Sequence, residues 1–409
     1  MIYLSLVIDL ISIATKYYKW GRLIMKSKKL FILLALMLSF SLFLAACGTS
    51  DDENEQDNED TNEQDSGDTN GQDDENADAS DTDFTVAMVT DVGGVDDKSF
   101  NQSAWEGLVA FGEEHGLTEG EGYTYAQSDQ DSDYEPNLQR LTMNDYDLVF
   151  GIGFLLTEAI QNVAERNPDT MYGLVDEVAE GDNIVSLTFK EHEGSFLVGV
   201  AAALKSESGK VGFVGGVDSP LINKFEVGFV AGVKSVDPSI DVDVRYAESF
   251  DDASRGRQIA SSMYDSGIDV IYHAAGGAGN GVFNEAKDRK NSNPDNYVWV
   301  IGVDRDQYEE GAVTVDGEEH NVTLTSMVKR VDIAVQDISN RALAGDFPAG
   351  ETMEYGLSDN GILVADTNAD AYTDDIRAAV EEWEQKILDG DIDVPFTHDQ
   401  LETFLEGLE

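Results

Sequence analysis

The sequence has a single cysteine, Cys47, so no disulfide can form within the chain. Positive charge is scarce: Lys and Arg total 26 against 81 Asp and Glu, a formal net charge of −55. Phosphate recognition needs a basic surface, so a nucleic-acid partner is excluded. Catalytic signatures are missing as well. There is no HExxH, no GxSxG elbow and no Walker A loop. The cluster Gly276-Gly277-Ala278-Gly279-Asn280-Gly281 does not fit the GxGxxG spacing that a dinucleotide needs between a strand and a helix. The reading is therefore a non-enzyme, with no cofactor and no metal site expected.

What is present begins near the N-terminus. Lys26, Lys28 and Lys29 precede an apolar run, 30–44, and Leu44-Ala45-Ala46 places small residues directly before Cys47. This reads as a signal peptide, not a spanning helix. It resembles a bacterial lipobox, which implies that Cys47 is lipidated on sulfur (a palmitate-type anchor) and becomes the mature N-terminus. Two or more acyl chains would make such an anchor stable. Met25 is a better signal-peptide start than Met1, so 1–24 read as an over-extended start or a lengthened leader. Residues 48–83 carry 16 acidic residues and no Lys or Arg. Such a composition cannot bury a core, and as a coil it would reach about 30–36 Å. A tether off a membrane is the first reading and an acidic metal-binding tail the second. Taking the leader's +5 and the tether's −16 out of the total leaves −44 on the remainder. That self-repulsion suits a high-salt habitat, where screening relieves it.

From Phe84 onward the pattern is α/β. Residues 84–90 are apolar and β-branched, as a buried strand requires, and Asp91 ends them. Gly93 and Gly94 permit a tight turn, and Asp97 and Ser99 are plausible helix N-caps. Phe100, Ala104, Leu108 and Phe111 then form one helical stripe. Strands are expected at 122–128, 146–151, 170–176 and 183–187, with helices at 137–143 and 155–167. The small-residue segment 190–204 is a closely packed helix. A second strand–Gly–helix unit starts at 210–216, with helices at 225–233 and 254–265 and strands at 241–246, 269–274, 297–303 and 321–325. A helix is expected at 326–344, an extended stretch at 356–365 and a final helix at 374–388. Strands alternating with helices indicate mostly parallel sheets. Two Rossmann-like lobes follow, lobe 1 at about 84–195 and 304–350 and lobe 2 at about 205–303, with C-terminal elements crossing back. Ligands favour strand carboxyl ends and domain interfaces.

Asp91, Asp176 and Asp304 each end an apolar strand. A carboxylate there suits paired donors on a sugar diol or a purine edge, or simply caps a helix. Phe100 and Phe225 open helices in opposite lobes, where they would either sandwich a flat base or pack a core. Asn101 offers a donor and an acceptor together. Lys329 is an isolated cation near an expected helix start, against the helix dipole. Gly276, Gly277 and Gly279 allow close backbone approach or merely a tight turn.

The run DVGGVDDKSFNQSAWEGL, the later FEVGFVAG and SMVKRVD resemble the basic membrane protein family, the substrate-binding lipoproteins of ABC-type nucleoside importers. The likeness covers roughly Phe84 to the C-terminus. It implies a type I periplasmic-binding-protein fold, a monomer, and a nucleoside, most of all a purine nucleoside, held between closing lobes. It further implies that segment 190–204 crosses between the lobes, that Phe100 and Phe225 stack the base, and that Lys329 reaches the ribose, with Asp91, Ser99, Asn101, Asp176 and Asp304 nearby. Partners would be separate permease and ATPase chains at the extracytoplasmic face of the cell membrane. A sugar-binding or signalling receptor on the same fold is the alternative. A nucleoside hydrolase is remote: aligned to its DxDxGxDD calcium site, Thr90 and Val92 stand where two aspartates are needed.

Overall fold

The computed structural model describes residues 82–408, so the readings made for Cys47, the leader and the tether up to residue 81 lie outside the described residues. In the first lobe the chain runs β1 (Val86–Val89), α1 (Phe100–Glu114), β2 (Tyr123–Ala126), α2 (Tyr134–Met143), β3 (Leu148–Ile152), α3 (Thr157–Arg166), β4 (Met171–Val175) and β5 (Ile184–Phe189). It crosses through α4 (Glu191–Lys205) into β6 (Lys210–Gly215), α5 (Pro220–Val236), β7 (Asp241–Tyr246), α6 (Ala253–Asp265), β8 (Val270–Ala274), α7 (Gly279–Ser292) and β9 (Trp299–Asp304). A small hairpin, β10 (Ala312–Val315) and β11 (Glu318–Asn321), leads to β12 (Thr323–Lys329). Then α8 (Val331–Leu343) returns to pack on α1, and β13 (Thr352–Tyr355) pairs with β5. Finally β14 (Ile362–Val364) goes back to β12, ahead of α9 (Asp374–Leu388) and α10 (His398–Glu406).

The first sheet has the order β13-β5-β4-β3-β1-β2 and is parallel throughout. The second has the order β14-β12-β9-β8-β6-β7 and is parallel except for β14. Covered on both faces by helices, β1, β3, β8 and β12 are buried at every position. This is why they read as continuous apolar runs instead of alternating ones. The close α4–α5 crossing depends on missing side chains. A Cβ on Gly199 would lie 2.4 Å from the Phe229 carbonyl oxygen, and one on Gly232 would lie 2.0 Å from that of Phe196.

Several expectations need correction. Residues 326–329 are not helical. Flanked by β9 and β14, Ser326 to Lys329 complete a buried strand, and the helix begins only at Val331. Asp304 and residues 323–329 accordingly belong to the second lobe's sheet, with the separate β10–β11 hairpin between them, and the return to the first lobe comes with α8. Helix α5 starts at Pro220, earlier than expected, because the Ser219 side chain accepts from the Ile222 N–H and Pro occupies the first turn. The β10–β11 hairpin and α10 went unread in the sequence.

Candidate functional site

The carboxyl ends of both sheets face one cleft, lined from both lobes. Strand ends supply Asp91 after β1, Gly153 and Phe154 after β3, Asp176 after β4, Phe250 after β7, Gly276 after β8, Asp304 at the end of β9 and Lys329 at the end of β12. The start of α1 supplies Phe100 and Asn101, and the first two turns of α5 supply Leu221, Ile222 and Phe225. Asp176 and Asp304 take positive φ, 75° and 66°. Such backbone is uncommon for residues with a Cβ and costs energy that the surroundings must offset. Gly153 also has positive φ, and a side chain there would approach both the Phe100 ring and Asp91.

Asp97 organises the first loop. Its Oδ1 accepts from the Ser99 N–H at 2.9 Å and the Gln102 N–H at 3.1 Å, and its Oδ2 from the Asn101 N–H at 2.8 Å. It therefore satisfies the orphan donors of α1. The Asn101 amide bridges the acids, donating to Asp91 Oδ1 at 2.7 Å and Asp97 Oδ2 at 3.0 Å. Gly93 N–H also donates to Asp91 Oδ1, at 2.8 Å. Burial pushes the Asp91 carboxyl up to about 7 despite these bonds, with the charges of Asp97 and Asp176 adding to the effect. Burial likewise raises Asp97.

Across the cleft, burial raises Asp304 to about 6, while Lys329 and the Ser99 hydroxyl pull it down. Lys329 is almost wholly buried and donates to both Asp176 oxygens, at 2.8 and 2.7 Å. Its ammonium lies 4.8 Å from the Phe100 ring centre and 5.5 Å from that of Phe225. Burial alone would lower its pKa, but Asp176, Glu191 and Asp304 outweigh burial and hold it above its ordinary value. Further bonds join the lobes outside the cleft lining. Arg305 forks onto Glu106 at 2.7 and 3.0 Å, and Gln307 Nε2 donates to the Lys98 carbonyl at 2.9 Å. The Phe154 and Phe250 rings meet edge to face at 6.2 Å.

Of the sequence-predicted residues, Asp91, Phe100, Asn101, Asp176, Phe225, Gly276, Asp304 and Lys329 line the cleft. Ser99, Gly277 and Gly279 do not. The Ser99 hydroxyl is spent on Asp304, and Asp97, not Ser99, caps the helix. Gly279 is small for another reason: a Cβ there would sit 2.1 Å from the His273 ring, so it serves helix–sheet packing. Phe225 lies in the second turn of α5 instead of opening it, and Lys329 ends a strand instead of starting a helix. Phe154 and Phe250 were missed. Phe154 follows the apolar strand β3, the signal that found the aspartates, whereas Phe250 follows the alternating, charged β7 and carried no such signal. Among the described residues no group of three or more His, Cys, Asp or Glu is placed to hold a metal.

Two lobes with parallel sheets, repeated chain crossings and a cleft at the strand carboxyl ends define a type I solute-binding fold. A crystal structure of ABC transporter system solute-binding proteins from Aeropyrum pernix K1 superposes with a TM-score of 0.68 at 27% identity, covering 80% of this chain and 97% of that one. Residues 84–397 match the family described as Bmp, ABC transporter substrate-binding protein PnrA-like, and the chain belongs to that family. It is 50% identical over 374 residues to the "CD4+ T-cell-stimulating antigen" of Listeria monocytogenes serovar 1/2a, covering 91% of this chain and 99% of the relative. It is 46% identical over 317 residues to the "ABC transporter nucleoside-binding protein BmpA" of Lactococcus lactis subsp. cremoris, covering 77% and 90%. The protein is thus an ABC transporter substrate-binding protein.

Proposed function

We propose that the protein binds nucleosides, purine nucleosides above all, and passes them to the permease of an ABC importer without chemical turnover. The observation that carries this is that Phe100 and Phe225 come from opposite lobes to one cleft that also presents carboxylates, an amide and one ammonium. In this reading the two rings stack the base, and Asp91 and Asn101 meet its polar edge. Asp176, Asp304 and Lys329 take the ribose hydroxyls, and Gly276 lets the backbone approach. Ser99 acts behind Asp304. The 46% identical relative named as nucleoside-binding supports the same ligand class. A thermal-shift panel of nucleosides, free bases and sugars tests it. Nucleosides should raise Tm, whereas a response to sugars alone would discard the stacking role.

The anchor belongs to the same reading. Cys47 carries the lipid, and the acidic segment up to residue 83 holds the binding domain at the extracytoplasmic face as a monomer. Cys47→Ser should abolish incorporation of labelled palmitate and release the protein from the membrane. Undiminished labelling would remove the lipid role of Cys47.

A further inference from the structure

Behind the cleft lies a carboxylate that the ligand reading leaves without a task. Glu191 is the first residue of α4, where the chain leaves the first lobe, and it is fully buried. Its Oε2 accepts from Lys224 Nζ at 3.0 Å, and the same ammonium donates to the Phe189 carbonyl at 3.2 Å. Its Oε1 is buried and has no hydrogen-bond partner among the described residues. Lys329 Nζ lies 3.7 Å from Oε1. A buried carboxylate oxygen without a donor is costly, and such exceptions call for an explanation. Burial raises the Glu191 pKa, against the opposing charges of Lys224 and Lys329.

Lys329 supplies the other half. Among the described residues its hydrogen bonds go to Asp176 alone, although an ammonium has three donors. That pair ties the end of β4 in the first lobe to the end of β12 in the second. A hydroxyl-bearing ligand competes with Lys329 for the two Asp176 oxygens, so the hold of Asp176 on Lys329 weakens as the ligand enters. An ammonium stripped of its partner inside this aromatic surround would be a buried uncompensated charge, which is strongly unfavourable. Glu191 Oε1 stands one small side-chain movement away.

We propose that Glu191 is a positioning residue for the ligand site: it offers Lys329 a second carboxylate seat, which lets Asp176 be given over to the ligand's hydroxyls. Glu191 touches the ligand only through Lys329. Lys224 holds Glu191 in place from the second lobe and ties it to the end of β5, so the seat lies at the interlobe crossing itself. This rests on the nucleoside reading for the nature of the ligand, not for the Glu191–Lys329 relation.

The test is a cycle between protein and ligand, using the full-length protein with guanosine and 2′,3′-dideoxyguanosine. Glu191→Gln should weaken guanosine binding roughly tenfold or more and leave dideoxyguanosine binding nearly unchanged. In a Lys329→Met background the same substitution should have little further effect. Equal weakening of both ligands would mean a structural role only and would overturn the proposal. If Glu191→Gln does not fold, the double variant Glu191→Gln/Lys224→Met removes both charges and carries the same prediction. A ligand-free arm separates this from failure of the nucleoside reading. In lysine-¹⁵N-labelled protein, the Lys329 ammonium signal, assigned by its loss in Lys329→Met, should shift and exchange its protons at least about tenfold faster in Glu191→Gln. An unchanged signal would overturn the proposal even if guanosine binds.

Discussion

The Ser99 hydroxyl donates to Asp304 Oδ2 at 2.5 Å, joining the loop before α1 in one lobe to the end of β9 in the other. Ser99 is fully buried and Asp304 nearly so. It shows how the site is built: a residue next to the cleft fixes a residue within it. Asp304 sits in left-handed backbone, so its orientation depends on such neighbours.

Ser99→Ala removes that donor and leaves a buried carboxylate one partner short. Stability should fall by about 1.5–3 kcal/mol, the usual range for a hydrogen bond to a charged group. Urea unfolding of the two proteins measures the difference. Ligand affinity should fall as well, because Asp304 loses its fixed direction.

Protonation of the cleft sets a pH dependence whose sign is fixed. Asp91 is raised to about 7 and Asp304 to about 6, from an ordinary value of 3.8. Between about pH 4 and 7 the folded protein therefore holds protons that the unfolded chain has released. The contribution to stability is full below about 4 and is lost as pH rises through 7. Asp91→Asn keeps the hydrogen-bond acceptor and removes the titration. Chemical denaturation across this window should show a flatter profile for the variant than for the wild type.

The α4–α5 crossing should be intolerant of even one methyl group. Gly232→Ala puts a Cβ into the Phe196 carbonyl, and neighbouring backbone must move. Overpacking of this kind costs about 1–3 kcal/mol. A thermal melt should show the loss, and because α4 is the first interlobe crossing, small-angle scattering of the variant should show a changed lobe arrangement.

The legible parts of this fold were those where local pattern and tertiary role agree. Buried parallel strands read as apolar runs, and the polar residue closing each run marked the cleft, which is how Asp91, Asp176 and Asp304 were found. Residues 326–329 failed for a physical reason: Ser-Met-Val-Lys has no period of its own, and only its place between β9 and β14 makes it a strand. Ser99 and Gly279 were adjacent to the site by sequence but turned away from it by packing. Glu191 was invisible to the sequence because its partners come from β12 and α5, far along the chain.

Stacking should divide between two rings. Phe100→Ala and Phe225→Ala should each cost about 1–3 kcal/mol of nucleoside affinity, the range seen when an aromatic under a base is removed. Free ribose should not distinguish the variants from the wild type. Competition binding with a fluorescent nucleoside reads both effects.

Calorimetric titration of the purified protein with purine and pyrimidine nucleosides, free bases and sugars tests the central claim most directly. The account predicts micromolar or tighter binding of a purine nucleoside, lost in Phe100→Ala and weakened in Asp304→Ala, with the nucleoside recovered intact. Binding of sugars alone, or release of free base from the nucleoside, would contradict it.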